Sequence, residues 1–343
     1  GCPSHLLEPS RLQKIQYSED FSDVAWSKGN STVTANQAIS PDGTLNADLI
    51  QVTVNSGNIY DNVSGSGDGS FSVFAKYIDI KYIRLRSTGS YAYFDIENGT
   101  VGNTLNVLDT KIENYGNGWY RCTVIGNNTN SLVQVFASNT DVGQPTGLGS
   151  VYIFGAQIEQ GSYPTSYIPN YGTSAGITRV AETANGAGDA STFNDSEGVL
   201  MAEISALAND GTSRQISLSS GSSATNKVSL NYTATSNQVQ AFIRSGGSIS
   251  FNETITLSDS TNLNKIALKY KSNDFALFVN GFKVASDLSG NAPTALSVLD
   301  FDDADGTSDL YGNTKQIQYF DSALNNSDLE TITSWTSFTD LAN

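Results

Sequence analysis

Apolar and polar residues alternate in short runs along most of the chain, and clusters of Gly, Asn, Asp and Ser separate the runs. Phe71-Ser72-Val73-Phe74-Ala75-Lys76-Tyr77 shows the alternation, as do Tyr82 to Arg86 and Tyr91 to Ile96. A period of two places every second side chain on one face, so each run predicts a half-buried strand. Thr32 to Ala35, Ala47 to Val54, Trp119 to Val124, Leu132 to Ala137 and Val151 to Ile158 read the same way. With about nine strands and no helical period among them, the first half predicts a β-sandwich of jelly-roll type.

The alternation resumes after residue 190, at Gly198 to Ser205, Arg214 to Ser219, Lys227 to Tyr232, Gln238 to Arg244, Glu253 to Leu257, Ala295 to Phe301 and Thr314 to Phe320. Lys265 to Val284 predicts three strands in one antiparallel meander. Its Asn280-Gly281 pair supplies the two positive φ angles of a type I′ hairpin turn. Near the end, Ser327-Asp328-Leu329-Glu330 reads as a capping box, followed by Leu329, Ile332 and Trp335 on one helical stripe. The fold class predicted is all-β: two tandem β-sandwiches with one short C-terminal helix. Residues 1–16 read as an extended lead-in, 17–170 as the first sandwich and 171–190 as a Gly/Ala/Thr-rich linker. Residues 191–343 read as the second sandwich.

Composition supports this picture. Only 15% of the 343 residues are charged, and 16 Tyr and 15 Phe are present, a balance that suits strands and polar turns over helices. The net charge is −16, with no basic cluster, which argues against nucleic acid and anionic membrane partners. No run of apolar residues is long enough for a membrane-spanning helix, and no signal peptide pattern is present. The Gly1-Cys2-Pro3 start reads as a processed or trimmed end. Cys122 shares a strand face with Tyr120 and Val124 and reads as a buried free thiol, with a Cys2–Cys122 bridge as the alternative.

Several motifs resemble a module common in head spikes and tail fibres of tailed bacteriophages. They are Tyr17-Ser18-Glu19-Asp20-Phe21-Ser22 with Ala25-Trp26-Ser27-Lys28, Asn117-Gly118-Trp119-Tyr120-Arg121, and Phe154-Gly155-Ala156-Gln157-Ile158-Glu159-Gln160-Gly161 with Pro164-Thr165-Ser166-Tyr167-Ile168-Pro169. The second half resembles a concanavalin A-like, laminin-G-like lectin domain. That likeness rests on Asn264 to Ala267, Asn273 to Leu277 with Val279-Asn280-Gly281, and Asp321-Ser322-Ala323-Leu324. The resemblance implies a protein of the virion surface that attaches, without enzymatic action, to a host-surface polysaccharide. It also implies other virion proteins as partners and a homo-oligomer, expected to be a trimer. The rival readings are a structural capsid or tail decoration protein, a polysaccharide-degrading spike, and a bacterial extracellular adhesin.

The candidate chemistry is sparse. One histidine, His5, cannot build a His-based nucleophilic or zinc site. Asp95 and Glu97 share a strand face about 7 Å apart by strand rise, within the range of an inverting glycosidase pair. The turn that follows at Asn98-Gly99 favours a structural role, and no catalytic residue is assigned. Sugars stack on aromatic rings and hydrogen-bond to amides and carboxylates, so Tyr60, Tyr91 and Tyr93 with Asn58 and Asp61 form the candidate glycan platform. Asp302, Asp303, Asp305 and Asp309 crowd one loop and could bind calcium. No cofactor is required by this reading. In similar jelly rolls the first and last strands sometimes clamp calcium, which here points to Glu19, Asp20 and Glu159.

Overall fold

The computed structural model describes residues 4–63, 67–127, 132–222 and 224–334. Among these the chain is almost entirely β, arranged as two β-sandwiches. The first strand, β1 (His5–Leu7), belongs to the unit made of Gly1–Pro9 and Ala181–Asn343, while Ser10–Val180 form the other unit.

The Ser10–Val180 unit begins with β2 (Arg11–Gln13), β3 (Ser27–Gly29), β4 (Ser31–Ile39), β5 (Leu45–Val52), β6 (Asn58–Asp61), β7 (Asp68–Tyr77) and β8 (Tyr82–Ser87). It continues through β9 (Ser90–Asp95), β10 (Thr100–Leu105), β11 (Val107–Gly116), β12 (Trp119–Asn127), β13 (Val133–Ser138), β14 (Gly149–Gln160) and β15 (Ile177–Arg179). Two six-stranded antiparallel sheets, β10-β9-β8-β13-β6-β3 and β11-β12-β7-β14-β5-β4, face each other. Their inward residues, among them Ile50, Val73, Ile83, Phe94, Val124, Val135 and Ile153, make one buried core. Trp26 is buried in it, against Phe21 at 4.9 Å between ring centroids. Cys122 is a buried free thiol in the same core, and burial pushes its pKa up; Cys2 lies outside the described residues.

The segment after β14 covers the outer face of the second sheet. Thr165 and Ile168 bond to Glu159 and Gln157, and Tyr167 packs on Phe74 and Phe154. Trp119 is buried beneath this layer and donates from Nε1 to the Ile39 carbonyl at 3.0 Å. On the outer face of the first sheet the 139–147 loop bonds to Tyr93, while Tyr60, Arg86 and Tyr91 stay half-exposed.

The other unit continues with β16 (Glu197–Ala206), β17 (Arg214–Ser219), β18 (Lys227–Tyr232), β19 (Gln238–Ser245), β20 (Ser248–Thr256) and β21 (Asn264–Lys271). It closes with β22 (Phe275–Val279), β23 (Phe282–Asp287), β24 (Val298–Asp300), β25 (Gly312–Phe320) and helix α1 (Asn326–Thr333). Its sheets run β1-β25-β16-β21-β22-β23 and β20-β19-β18-β17-β24, around a core that includes Leu200, Ile216, Leu230, Leu268 and Leu277. Leu329 of α1 packs outside the first of these sheets, on Val199, Met201, Ala267, Ala276 and Phe278.

The meander forms as expected, with β21, β22 and β23 antiparallel and Val279 opposite Phe282 across a two-residue turn. Asn280 and Gly281 both have positive φ, at 50° and 89°. Asn280 accepts from the Lys265 N–H through Oδ1 and donates to Asn264 Oδ1, both at 2.9 Å. Replacing Asn280 with alanine should cost about 2 kcal/mol, because the left-handed backbone loses its preferred residue and two hydrogen bonds go with it. Urea denaturation measures it; a loss below about 0.5 kcal/mol would mean the turn does not pin the meander.

Two stretches differ from expectation. The lead-in is not free: β1 pairs antiparallel with β25, and β2 pairs with β15 inside the supposed linker. Three-residue strands are too short to show alternation, and their partners are remote in sequence. The helix is capped by Asn325 rather than Ser327, its side chain accepting from the Asp328 N–H at 3.0 Å. Trp335 lies outside the described residues.

Candidate functional site

Strand register decides which side chains share a surface. In β8, Ile83 and Leu85 enter the core, as do Ala92 and Phe94 in β9, Val133 and Val135 in β13, and Ile59 in β6. Their neighbours therefore point outward. Across the sheet, Tyr60, Gln134, Arg86 and Tyr91 lie side by side, and the next row holds Asn58, Phe136, Arg84 and Tyr93. Four of the five residues picked as a platform, Asn58, Tyr60, Tyr91 and Tyr93, thus stand on one outer face. Asp61 does not: it sits beside Val133 on the opposite parity. It lines a separate pocket of about 440 Å³ with Lys14, Gln16 and Asn62, and burial raises its pKa.

Arg84, Arg86, Gln134 and Phe136 were missed in the sequence, although Tyr82-Ile83-Arg84-Leu85-Arg86 already puts both arginines outward. Arg84 is 5% exposed. Its guanidinium carbon lies 4.1 Å from the Phe136 ring centre, 5.1 Å from Tyr91 and 5.6 Å from Tyr93, within cation–π range. Nη1 donates to Tyr93 Oη at 3.4 Å, and the buried Nε has no acceptor. Tyr93 is itself buried and donates to the Gly143 carbonyl at 2.9 Å, which ties the 139–147 loop to the sheet. Burial lowers the Arg84 pKa and raises that of Tyr93. So Tyr93 is a support beneath the surface rather than a stacking ring.

The open part of the face is a connected polar row between two rings. Arg86 donates from Nε to the Thr88 carbonyl at 2.9 Å and from Nη1 to Gln134 Oε1 at 3.1 Å. Gln134 passes a 3.4 Å bond on to Asn58 Oδ1, and Asn58 donates to the Ser56 carbonyl at 2.9 Å. Tyr60 flanks this row on one side and Tyr91 on the other, both half-buried. Such a surface can stack an apolar sugar face and offer amide and guanidinium donors to its hydroxyls.

Asp95 and Glu97 have structural partners. Asp95 sits 3.1 Å from Lys81 Nζ and accepts from the Glu97 and Asn98 N–H groups. Burial would raise its pKa, but these bonds and Lys81 outweigh it and hold the carboxyl low. A general acid needs the reverse shift.

The calcium candidates are each engaged by other partners. Glu19 accepts from Tyr167, Tyr171 and Asn46 and lines a pocket of about 340 Å³ with Tyr17, Asp20, Asn36, Asp48 and Tyr171. Asp20 caps the turn at Ser22 and Asp23. Glu159 gives its two oxygens to the Thr165 N–H and hydroxyl. In the acidic loop, Asp302 accepts from Ala304 N–H and Asn185, Asp303 from Asp305 N–H and Thr307, and Asp309 from the Tyr311 hydroxyl. Among the described residues no group of three or more carboxylate, His or Cys side chains is arranged to hold a metal ion.

No family model matches the chain, and no curated protein matches it. Among solved structures it is similar to the Ruminococcus gnavus IT-sialidase CBM40, at 16% identity and a TM-score of 0.37, over 44% of this chain and 94% of that one. The same module bound to alpha2,3 sialyllactose matches at 17% identity and a TM-score of 0.35, over 45% and 97%. Domains LG4-5 of the mouse laminin alpha1 chain match at 10% identity and a TM-score of 0.30, over 94% and 92%. At TM-scores this low, nothing about individual residues of this chain follows from these likenesses.

Proposed function

We propose that this protein binds carbohydrate without catalysis, through the outer face of the β10-β9-β8-β13-β6-β3 sheet, and serves as a virion surface protein that attaches to a host polysaccharide. The binding reading is carried by one observation: Tyr60 and Tyr91 flank the hydrogen-bonded row Arg86–Gln134–Asn58 on the half-exposed part of that sheet face. The virion setting, the head-spike or tail-fibre role and the trimeric assembly rest on the motif resemblance from Tyr17 to Pro169. The site belongs to the jelly-roll module, and the second sandwich is read as a lectin-type companion.

Retention on immobilised host polysaccharide tests the reading. Tyr60→Ala and Tyr91→Ala should each weaken retention about ten-fold, the scale of losing one aromatic contact of 1–2 kcal/mol. Their unfolding midpoints should stay near the parent's, because both rings are half-exposed. Unchanged retention in both variants removes the platform. Loss of polymer viscosity during incubation would replace the adhesin with a degrading spike.

A further inference from the structure

We infer that the ligand of this face is an acidic saccharide whose carboxylate is taken by Arg86, with Arg84, the preceding outward residue of the strand, as a fixed charge beside it. The inference rests on the glycan-binding reading and names the substrate class of that same site.

The chain carries a net charge of −16, yet the centre of this face holds two arginines on successive outward positions of one strand. Among the described residues neither forms an ion pair. Asp95, on the same face, and Glu97 are already engaged, 3.1 and 3.8 Å from Lys81. Asp141, in the covering loop, makes no ion pair with either arginine.

Arg84 states the case most strongly. A guanidinium that is 5% exposed, with an Nε lacking any acceptor and one long hydrogen bond, has lost most of its hydration without gaining a counter-charge. Three aromatic rings offset part of that cost, but a buried cation is usually paired. Arg86, the next outward residue, is half-exposed and keeps its plane fixed through Thr88 and Gln134. A guanidinium held in this way presents a planar fork, which matches a carboxylate better than a point charge would. The flanking rings Tyr60 and Tyr91 then suit a sugar ring bearing that group, such as a uronic or sialic acid unit.

The test uses the full chain and four immobilised acidic polymers: polygalacturonate, alginate, hyaluronan and polysialic acid. Each is compared with its carboxyl-reduced form, and dextran sulfate is included. Retention by at least one acidic polymer that falls ten-fold or more on carboxyl reduction supports the inference. Arg86→Gln should bring that polymer's retention down to the level of the reduced form, and Arg86→Lys should recover only part of it. Arg86 is half-exposed, so both variants are expected to fold, and their unfolding midpoints verify this. Equal retention of acidic and reduced polymers overturns the inference while leaving carbohydrate binding intact. Retention by dextran sulfate alone overturns the carboxylate assignment. No retention of any polymer by a folded protein overturns the inference, and the binding reading falls with it if host polysaccharide is not retained either.

Discussion

Trp26→Ala should destabilise the Ser10–Val180 unit by about 3–5 kcal/mol, the range for removing a large aromatic from a packed core. The indole is 1% exposed, packs tilted against Phe21, and donates from Nε1 to the Tyr17 carbonyl at 2.8 Å. Its removal therefore leaves a cavity and also a partly buried carbonyl without its donor. The loss is a large share of the stability of an ordinary domain. Amide hydrogen exchange in β7 and β14, which border the same core, should accelerate by two orders of magnitude or more, if exchange there reports global opening. Trp26→Phe keeps most of the packing and should lose about half as much. A loss below about 1 kcal/mol for the alanine variant would show that the core repacks around the gap and that Trp26 is not its anchor.

Acidification should stabilise the same unit over a limited window. Asp48 is 1% exposed, accepts from the Phe21 and Asn36 N–H groups at 2.8 and 3.0 Å, and forms no ion pair among the described residues. Burial, against the opposing pull of these hydrogen bonds, pushes its carboxyl up to about 6. An unfolded Asp titrates near pH 3.9, so between the two values the folded state holds more protons than the unfolded state. Stability from this group is therefore fully present below about pH 4 and is lost as pH rises through about 6. Two pH units correspond to at most about 3 kcal/mol, less whatever solvent in the adjoining pocket screens. Glu19, also raised by burial, acts in the same direction. Asp42 and Asp95 are lowered and act oppositely at more acidic pH. Urea unfolding at pH 7.5 and 5.0 should show higher stability at the lower pH, and Asp48→Asn should flatten the difference. A carboxyl carbon titration of Asp48 with a midpoint below pH 4 would refute this account.

Strands with one buried face were legible because burial imposes the alternation. Gln238–Ser245 alternates between half-exposed and buried positions and lies within one residue of the expected limits, Gln238 to Arg244. β10 and β11 went unread because almost every residue of theirs is exposed or half-exposed: Val101, Leu105 and Leu108 lie in solvent, so no face is marked by polarity. The tyrosine face was half legible. Aromatic residues at Tyr60, Tyr91 and Tyr93 point to sugar stacking by type, but only strand order puts β13 between β6 and β8 and so inserts Gln134 and Phe136 between them. That order depends on pairing between segments far apart in sequence, which local pattern does not encode. Likewise Asp61 looked equivalent to Tyr60 in the sequence, and one residue of register sends it to the other side.

The pairing of β1 with β25 has a practical consequence for anyone dividing the chain. Because His5–Leu7 complete a sheet whose other strands all come after residue 181, the Ser10–Val180 unit is an insertion within the other unit, not its predecessor. A fragment starting at residue 181 lacks an edge strand. It would leave the Gly312 to Thr314 backbone groups unpaired, an open template for strand addition by a second molecule. The natural cut removes residues 10–180 as one block and rejoins Pro9 to Ala181. There the Glu8 and Glu182 backbones already meet through a 3.0 Å hydrogen bond.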